Sequence, residues 1–244
     1  MPSFLDRPNR PRLAYERRDG RGPTIVFLPG YASDMTGAKA LALDVWAARA
    51  GRAMLRLDYT GCGASEGAFA EGTLAMWRDD MLEALDRLTD GPLILVGSSM
   101  GGWLMLLAAL ARPERVAALV GIAAAPDFTD WGYDDDMRAI MVEDGLYLRQ
   151  TDYADEPLVT MLDFWRSGQA NLLLDGEIGV DVPVRLLHGL EDRDVPPSIA
   201  FRLGRALRSG DVQTILVKGG DHRLSRPEDL KLLTATVASL LEDS

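Results

Sequence analysis

Leu93–Leu110, LILVGSSMGGWLMLLAAL, is the stretch whose reading decides the fold. After Gly91-Pro92 it opens with an apolar run of the length of a strand buried on both faces. It then turns through Gly97-Ser98-Ser99-Met100-Gly101-Gly102 and continues as an apolar helix ending near Arg112-Pro113. Strand, G-x-S-x-G, helix is the nucleophile elbow, which sets Ser99 at the tip of a strained turn. A serine held at positive φ in so tight a turn leaves no room for side chains two residues to either side, hence Gly97 and Gly101. Gly102 lets the helix approach the strand closely. The helix aims its N-terminal N–H groups above Ser99, where negative charge develops on an acyl carbonyl. Gly-rich chains meet G-x-S-x-G by chance; the strand before it and the helix after it favour the catalytic reading.

Working outward, strands alternate with helices. Thr24–Leu28 is a buried strand that breaks at Pro29-Gly30-Tyr31, and Ala38, Leu41, Val45 and Ala48 are spaced for one face of a helix. Ala53–Leu57 is the next strand, and Leu74, Trp77, Met81, Leu85 and Leu88 mark a second helix. Residues 1–22, rich in Arg and Pro, predict a peripheral strand or two. Downstream, Val116–Ala123, Pro183–Leu187 and Val212–Val217 are strands, with a helix from about Ser198 to Leu207. Ser225-Arg226-Pro227-Glu228 is a capping box opening a last helix, with Leu230, Leu233, Val237 and Leu240 on its apolar face. This alternation predicts one α/β domain over residues 1–244, with a mostly parallel sheet of about eight strands (or seven) and helices on both faces.

The alternation lapses between about residues 127 and 182. That stretch is acidic at Asp134-Asp135-Asp136, has helical patches around Met137–Val142 and Leu158–Leu173, and concentrates aromatics. They are Phe128, Trp131, Tyr133, Tyr147, Tyr153, Phe164 and Trp165. An insertion of this kind after a strand's C-terminal end predicts a small helical lid over the place where open α/β sheets bind ligands. Its aromatics pack the insertion onto the body, line the site, or do both.

A formal net charge of −11 argues against nucleic acid or an anionic membrane surface as partner. The lone Cys62 excludes an internal disulfide and a cysteine-rich metal site and fits a reducing compartment, taken here as the cytoplasm. No apolar run reaches the ~18 residues of a membrane span. The Arg-rich N-terminus has no apolar core of a secretory signal and is expected to be a surface arm, a trimmed organellar form being the other reading.

A serine hydroxyl needs a histidine to take its proton, and that histidine needs a carboxylate to fix its tautomer. In this architecture the chain order is serine, acid, histidine. Of the two histidines, His188 ends a strand in LLHGLED and is expected to be structural. His222, in GGDHRL after the last strand, follows every acid candidate and is the expected base. Glu191, Asp192 and Asp194 share one loop and Asp221 adjoins His222; spacing favours Asp192 only slightly. The oxyanion hole needs two N–H groups, expected from Met100, directly after the nucleophile, and from Tyr31, after the Pro29-Gly30 turn.

LPGY, DYTGCGASEG, GSSMGGWLMLLAALARP, RLLHGLEDRDVP and GDHRLS together resemble the α/β-hydrolase superfamily. More narrowly, they are similar to the subfamily whose mitochondrial animal members are palmitoyl-protein thioesterases and acyl-glucuronide esterases. The resemblance covers Thr24 to Leu241. In that family HGxxDxxVP carries the acid at its D, which falls on Asp192, while Asp58 in the DYxGxG loop is taken as structural. The function expected is a serine hydrolase that cleaves carboxylic esters or thioesters of a small molecule, or of an acylated protein, through an acyl-enzyme. No cofactor or metal is implied. Trp103, Trp131, Phe164 and Trp165 are candidates to line an acyl pocket. The same apparatus would serve an acyltransferase or a peptidase, and a hydrolase fold kept as a binding module is the alternative outside enzymology.

Overall fold

The computed structural model describes residues 1–150 and 157–242, with nothing described of the side chain of Glu242. The candidate lid aromatic Tyr153 lies outside the described residues. Ten strands alternate with helices among them. They are β1 (Ser3–Leu5), β2 (Leu13–Arg18), β3 (Arg21–Leu28), β4 (Arg52–Leu57), β5 (Leu93–Ser98), β6 (Val116–Ile122), β7 (Leu146–Arg149), β8 (Leu158–Met161), β9 (Val184–Gly189) and β10 (Val212–Val217). The helices are α1 (Ala38–Ala50), α2 (Leu74–Leu88), α3 (Met100–Ala111), α4 (Phe128–Trp131), α5 (Asp135–Asp144), α6 (Leu162–Gln169), α7 (Pro197–Ala206) and α8 (Pro227–Glu242).

Eight strands form one sheet in the order β1-β2-β4-β3-β5-β6-β9-β10. The N-terminal arm supplies its two antiparallel edge strands; from β4 to β10 every pairing is parallel. Side chains alternate between the faces as a strand's period of two requires. Val26, Leu28, Leu93 and Leu95 join one core with Trp77 and Met81 of α2 and Leu104 of α3. Ile25, Phe27, Ile94 and Val96 join the other with α1 and with Leu233, Val237 and Leu240 of α8. Covered on both faces, the central strands are apolar throughout, which is why they stand out in the sequence.

Three local expectations are corrected. In α1 the buried side is Ala40, Leu43 and Ala47, while Leu41 and Val45 are exposed. The helix is apolar nearly all round, so two stripes had helical spacing, and the alanine-rich one packs into the core beside the sheet. At the start of α8 the box is displaced by one residue. Asp229 Oδ2 accepts from the main-chain N–H of Arg226 at 3.1 Å, and both its oxygens pair with that residue's guanidinium. Third, Leu158–Met161 is a strand, antiparallel to β7, and the helix begins only at Leu162. Among the described residues between β6 and β9, then, an antiparallel pair of strands accompanies three helices. Asp127 clasps the base of this insertion, its carboxylate accepting from the N–H groups of Leu173 and Leu174 at 2.7–2.9 Å. Burial raises that carboxyl above its ordinary value against the pull of these bonds.

Candidate active site

Parallel strands deliver their C-terminal ends to one edge of the sheet, and the loops leaving β3, β5, β9 and β10 meet there. The turn after β5 puts Ser99 at φ 53° and ψ −120°. It is held in that conformation by its neighbours: its N–H donates to Ile122 at 2.9 Å, and its carbonyl accepts from Gly102 and Ala125 at 2.9 and 3.0 Å. A Cβ on Gly101 would lie 2.1 Å from the carbonyl oxygen of Leu28, so only glycine lets α3 start this close to β3.

The loop after β10 crosses the end of β9 at Gly189, where a Cβ would meet Gly220 O at 2.2 Å. Glu191 N–H donates to that same carbonyl at 2.9 Å, Asp221 Oδ1 accepts from Leu224 N–H, and the Lys39 ammonium donates to Arg223 O. Burial first, then the neighbouring Arg223, brings Lys39 down to about 8. These ties fix His222. Its Nδ1 lies 2.9 Å from Asp192 Oδ2 and its Nε2 3.2 Å from Ser99 Oγ. Nδ1–H facing a carboxylate leaves Nε2 as a hydrogen-bond acceptor towards the Ser99 hydroxyl, a tautomer assigned from the partners.

Asp192 is the carboxylate that meets His222. Asp221 is spent on its own loop, and Asp194 donates its N–H to Asp192 Oδ1. The Asp192 side chain is 0% exposed. Burial alone would raise its carboxyl; hydrogen bonds from His188 and His222, the His222 charge and the Val195 N–H outweigh that and hold it far below the usual carboxylate range. The one group of acidic and imidazole side chains near enough together to hold a cation, among the described residues, is Asp192, Asp194 and His222. Two of its three members already belong to the line that ends on Ser99.

Gly30 lies against Ser99, a Cβ there falling 3.2 Å from its Cβ and 3.8 Å from its Oγ. The loop carrying Tyr31 therefore runs beside Ser99, while Met100 follows it along the chain. Among the described residues neither N–H meets a protein acceptor. Asp58 is buried and accepts from the N–H groups of Met35 and Ala64 at 2.7 and 2.9 Å, shaping the adjoining loop.

The aromatic candidates separate into two sets. Phe164 and Trp103 are fully buried and joined through Phe128, at ring-centroid distances of 5.7 and 5.8 Å. Trp131 and Trp165 are part-buried and donate their indole N–H groups to Pro126 O and Thr129 O. The centre of the buried group is the Tyr31 ring, 4.7–6.1 Å from Phe69, Trp77, Phe128 and Phe164. Its hydroxyl donates to Val159 O of β8 at 2.7 Å. The sequence marks Tyr31 by its main-chain N–H and carries no signal for this side chain. Phe69 stood in no periodic segment and was missed with it.

Residues 23–175 match the family model of the alpha/beta hydrolase fold. The chain belongs to the α/β-hydrolase family. It is 41% identical over 244 residues to the human mitochondrial palmitoyl-protein thioesterase ABHD10, covering 98% of this chain and 80% of that protein. This hydrolase superposes on mouse alpha/beta hydrolase domain-containing protein 10 with a TM-score of 0.94 at 41% identity, over 100% of this chain and 99% of the other. A structure from Agrobacterium vitis S4 gives 0.92 at 37% identity, covering 98% and 97%. No helix among the described residues is long and apolar enough to cross a membrane.

Proposed function

We propose that this enzyme is a serine hydrolase that cleaves acyl thioesters and esters through an acyl-enzyme, with Ser99 as nucleophile, His222 as base and Asp192 as orienting acid. The single observation that carries the reading is the hydrogen-bonded line from Asp192 through His222 to Ser99, with steps of 2.9 and 3.2 Å. Ser99 Oγ attacks the acyl carbonyl while its proton passes to His222 Nε2. The carbonyl oxygen becomes an oxyanion received by the N–H groups of Tyr31 and Met100. Collapse of the tetrahedral intermediate breaks the bond to sulfur or oxygen, and His222 returns the proton to the leaving group. Water, deprotonated by His222, then releases the carboxylic acid and restores Ser99. Throughout, the Asp192 charge favours the imidazolium.

Residues 127–182 act as a lid on a single hydrolase domain, and the part-buried rings of Tyr31 and Phe128, backed by the buried Phe164 and Trp103, offer the acyl chain its apolar surface. An S-acylated protein is the favoured substrate, since the relatives at 41% and 42% identity are named palmitoyl-protein thioesterases. The same relatives, named as mitochondrial, favour an organellar location over the cytoplasm.

A fluorophosphonate probe should label the wild type and leave Ser99→Ala unlabelled. S-acyl-cysteine peptides and p-nitrophenyl esters of graded chain length should be hydrolysed with a burst of leaving group. Equal labelling of Ser99→Ala, or no turnover of either substrate class by a folded wild type, would overturn the assignment.

A further inference from the structure

Asp192 Oδ2 has a second imidazole beside it. His188, the last residue but one of β9, is 1% exposed, and its Nε2 stands 2.9 Å from Val195 O and 3.3 Å from Asp192 Oδ2. Both neighbours are acceptors, so Nε2 carries the proton and is shared between them, with the carbonyl as the shorter arm. Oδ1 of the same carboxylate takes the N–H groups of Asp194 and Val195 at 2.9 Å each. Four donors therefore hold one buried anion, and only one of them, His222, leads to Ser99. A carboxylate needing only a backbone clamp would be served by Oδ1; the extra imidazole sits on the oxygen that the reaction uses.

We propose that His188 is a positioning residue for the reaction: its Nε2–H holds Asp192 Oδ2 on the His222 axis and draws off part of the charge that His222 feels. This inference rests on the assignment of Ser99, His222 and Asp192 made above. The consequence has a sign. A carboxylate relieved of one donor attracts an imidazolium more strongly, which stabilises protonated His222. The base must be neutral to accept the serine proton, so removing the His188 donor moves the acid limb of the rate profile to higher pH. Other ionisable groups face this pair: the Asp194 carboxylate, within 4.8 Å of the Asp192 and His222 donor atoms, Asp221 and Glu191 on the flanking loops, and Lys39 and Arg223 beyond His222. None of them is altered by a substitution at His188.

Glutamine places an amide N–H about where histidine has Nε2–H; asparagine is too short to reach, and leucine fills the space without a donor. The pH profile of kcat/KM on a short p-nitrophenyl ester, with fluorophosphonate labelling rates as a second readout, compares the four proteins. His188→Leu should raise the acid limb by about one pH unit. It should also lower kcat by roughly 10-fold, short of the ~10²-fold that a 1 Å misplacement of a reacting group costs. His188→Gln should keep the wild-type limb. Should His188→Leu not fold, His188→Asn takes its place with the same expectation. A limb that stays at the wild-type pH in the donor-less variant, or moves down, or moves equally in His188→Gln, overturns the proposal. Failure of the underlying assignment looks different: the wild type itself would then show no labelling at Ser99 and no such limb.

Discussion

Replacing Gly101 by alanine tests how the elbow and the oxyanion loop depend on each other. In an ordinary helix this change stabilises by about 0.5–1 kcal/mol. Here the new Cβ would stand 2.1 Å from Leu28 O and 2.7 Å from both Leu28 C and Pro29 O. All three are main-chain atoms that cannot rotate away. Moving the nearest out to the 3.4 Å of ordinary contact asks for about 1.3 Å of separation between the start of α3 and the end of β3. Overpacking of this kind costs about 1–3 kcal/mol, more than the helix gains, so the protein should be destabilised. The displaced atoms lie two and three residues before Tyr31 and one residue after Met100, the proposed oxyanion donors. A shift of that size is comparable to losing one donor, which lowers kcat by about 10²–10³-fold. Thermal melting and kcat per titrated active site measure the two effects separately. Gly176→Ala is the control, since a Cβ there meets nothing within 4 Å. A Gly101→Ala protein with a lowered melting temperature and wild-type kcat would refute the coupling.

Tyr31→Phe removes the hydroxyl that donates to Val159 O and leaves the Tyr31 main chain intact. A part-buried carbonyl without its partner costs about 1–3 kcal/mol, so proteolysis within residues 127–182 should quicken while kcat on short esters stays near wild type; a 100-fold loss of kcat would mean that the ring itself enters the chemistry. Asp192→Asn should lower kcat by about 10⁴-fold, because the amide no longer selects the Nδ1–H tautomer of His222. The same pair reports on stability. Since folding lowers the Asp192 carboxyl from 3.8, its contribution is fully present above that value and is lost as pH falls below it. The gap in denaturation midpoint between wild type and Asp192→Asn should therefore hold from pH 7 to 5 and close below pH 4; a constant gap down to pH 3 contradicts the coupling.

The elbow was legible because its constraints are local: a buried strand, a positive-φ serine and glycines at fixed offsets all lie within Leu93–Gly102. The central strands were legible because burial on both faces makes them uniformly apolar. Features that depend on a neighbour were harder to read. The buried side of α1 could not be chosen from a helix with apolar residues all round, and Leu41 and Val45 face solvent instead. Leu158–Met161 is a strand only because Leu146–Arg149 pairs with it. Glu191, Asp192 and Asp194 have nearly the same spacing to His222; orientation separates them, and orientation belongs to the loop. Tyr31 was sought for its N–H, while its ring sits among four aromatics drawn from α2, the loop before it, and α4 and α6 of the insertion.

What the sequence does carry of the long-range geometry is recorded in glycines. Ser99 and His222 are 123 residues apart, and no periodicity links them. Yet three close approaches between the loops of the site fall on glycines. Gly30 lies on Ser99, Gly101 on Leu28, and Gly189 on Gly220. A side chain at Gly101 or Gly189 would separate two loops by more than an ångström and one at Gly30 by a few tenths, and the proposed proton relay, with steps of 2.9 and 3.2 Å, has little such slack. In the proposed reaction the loops approach this closely because their residues act on one carbonyl group at once. Glycines at such contacts are therefore part of the chemistry, although no atom of theirs takes part in it.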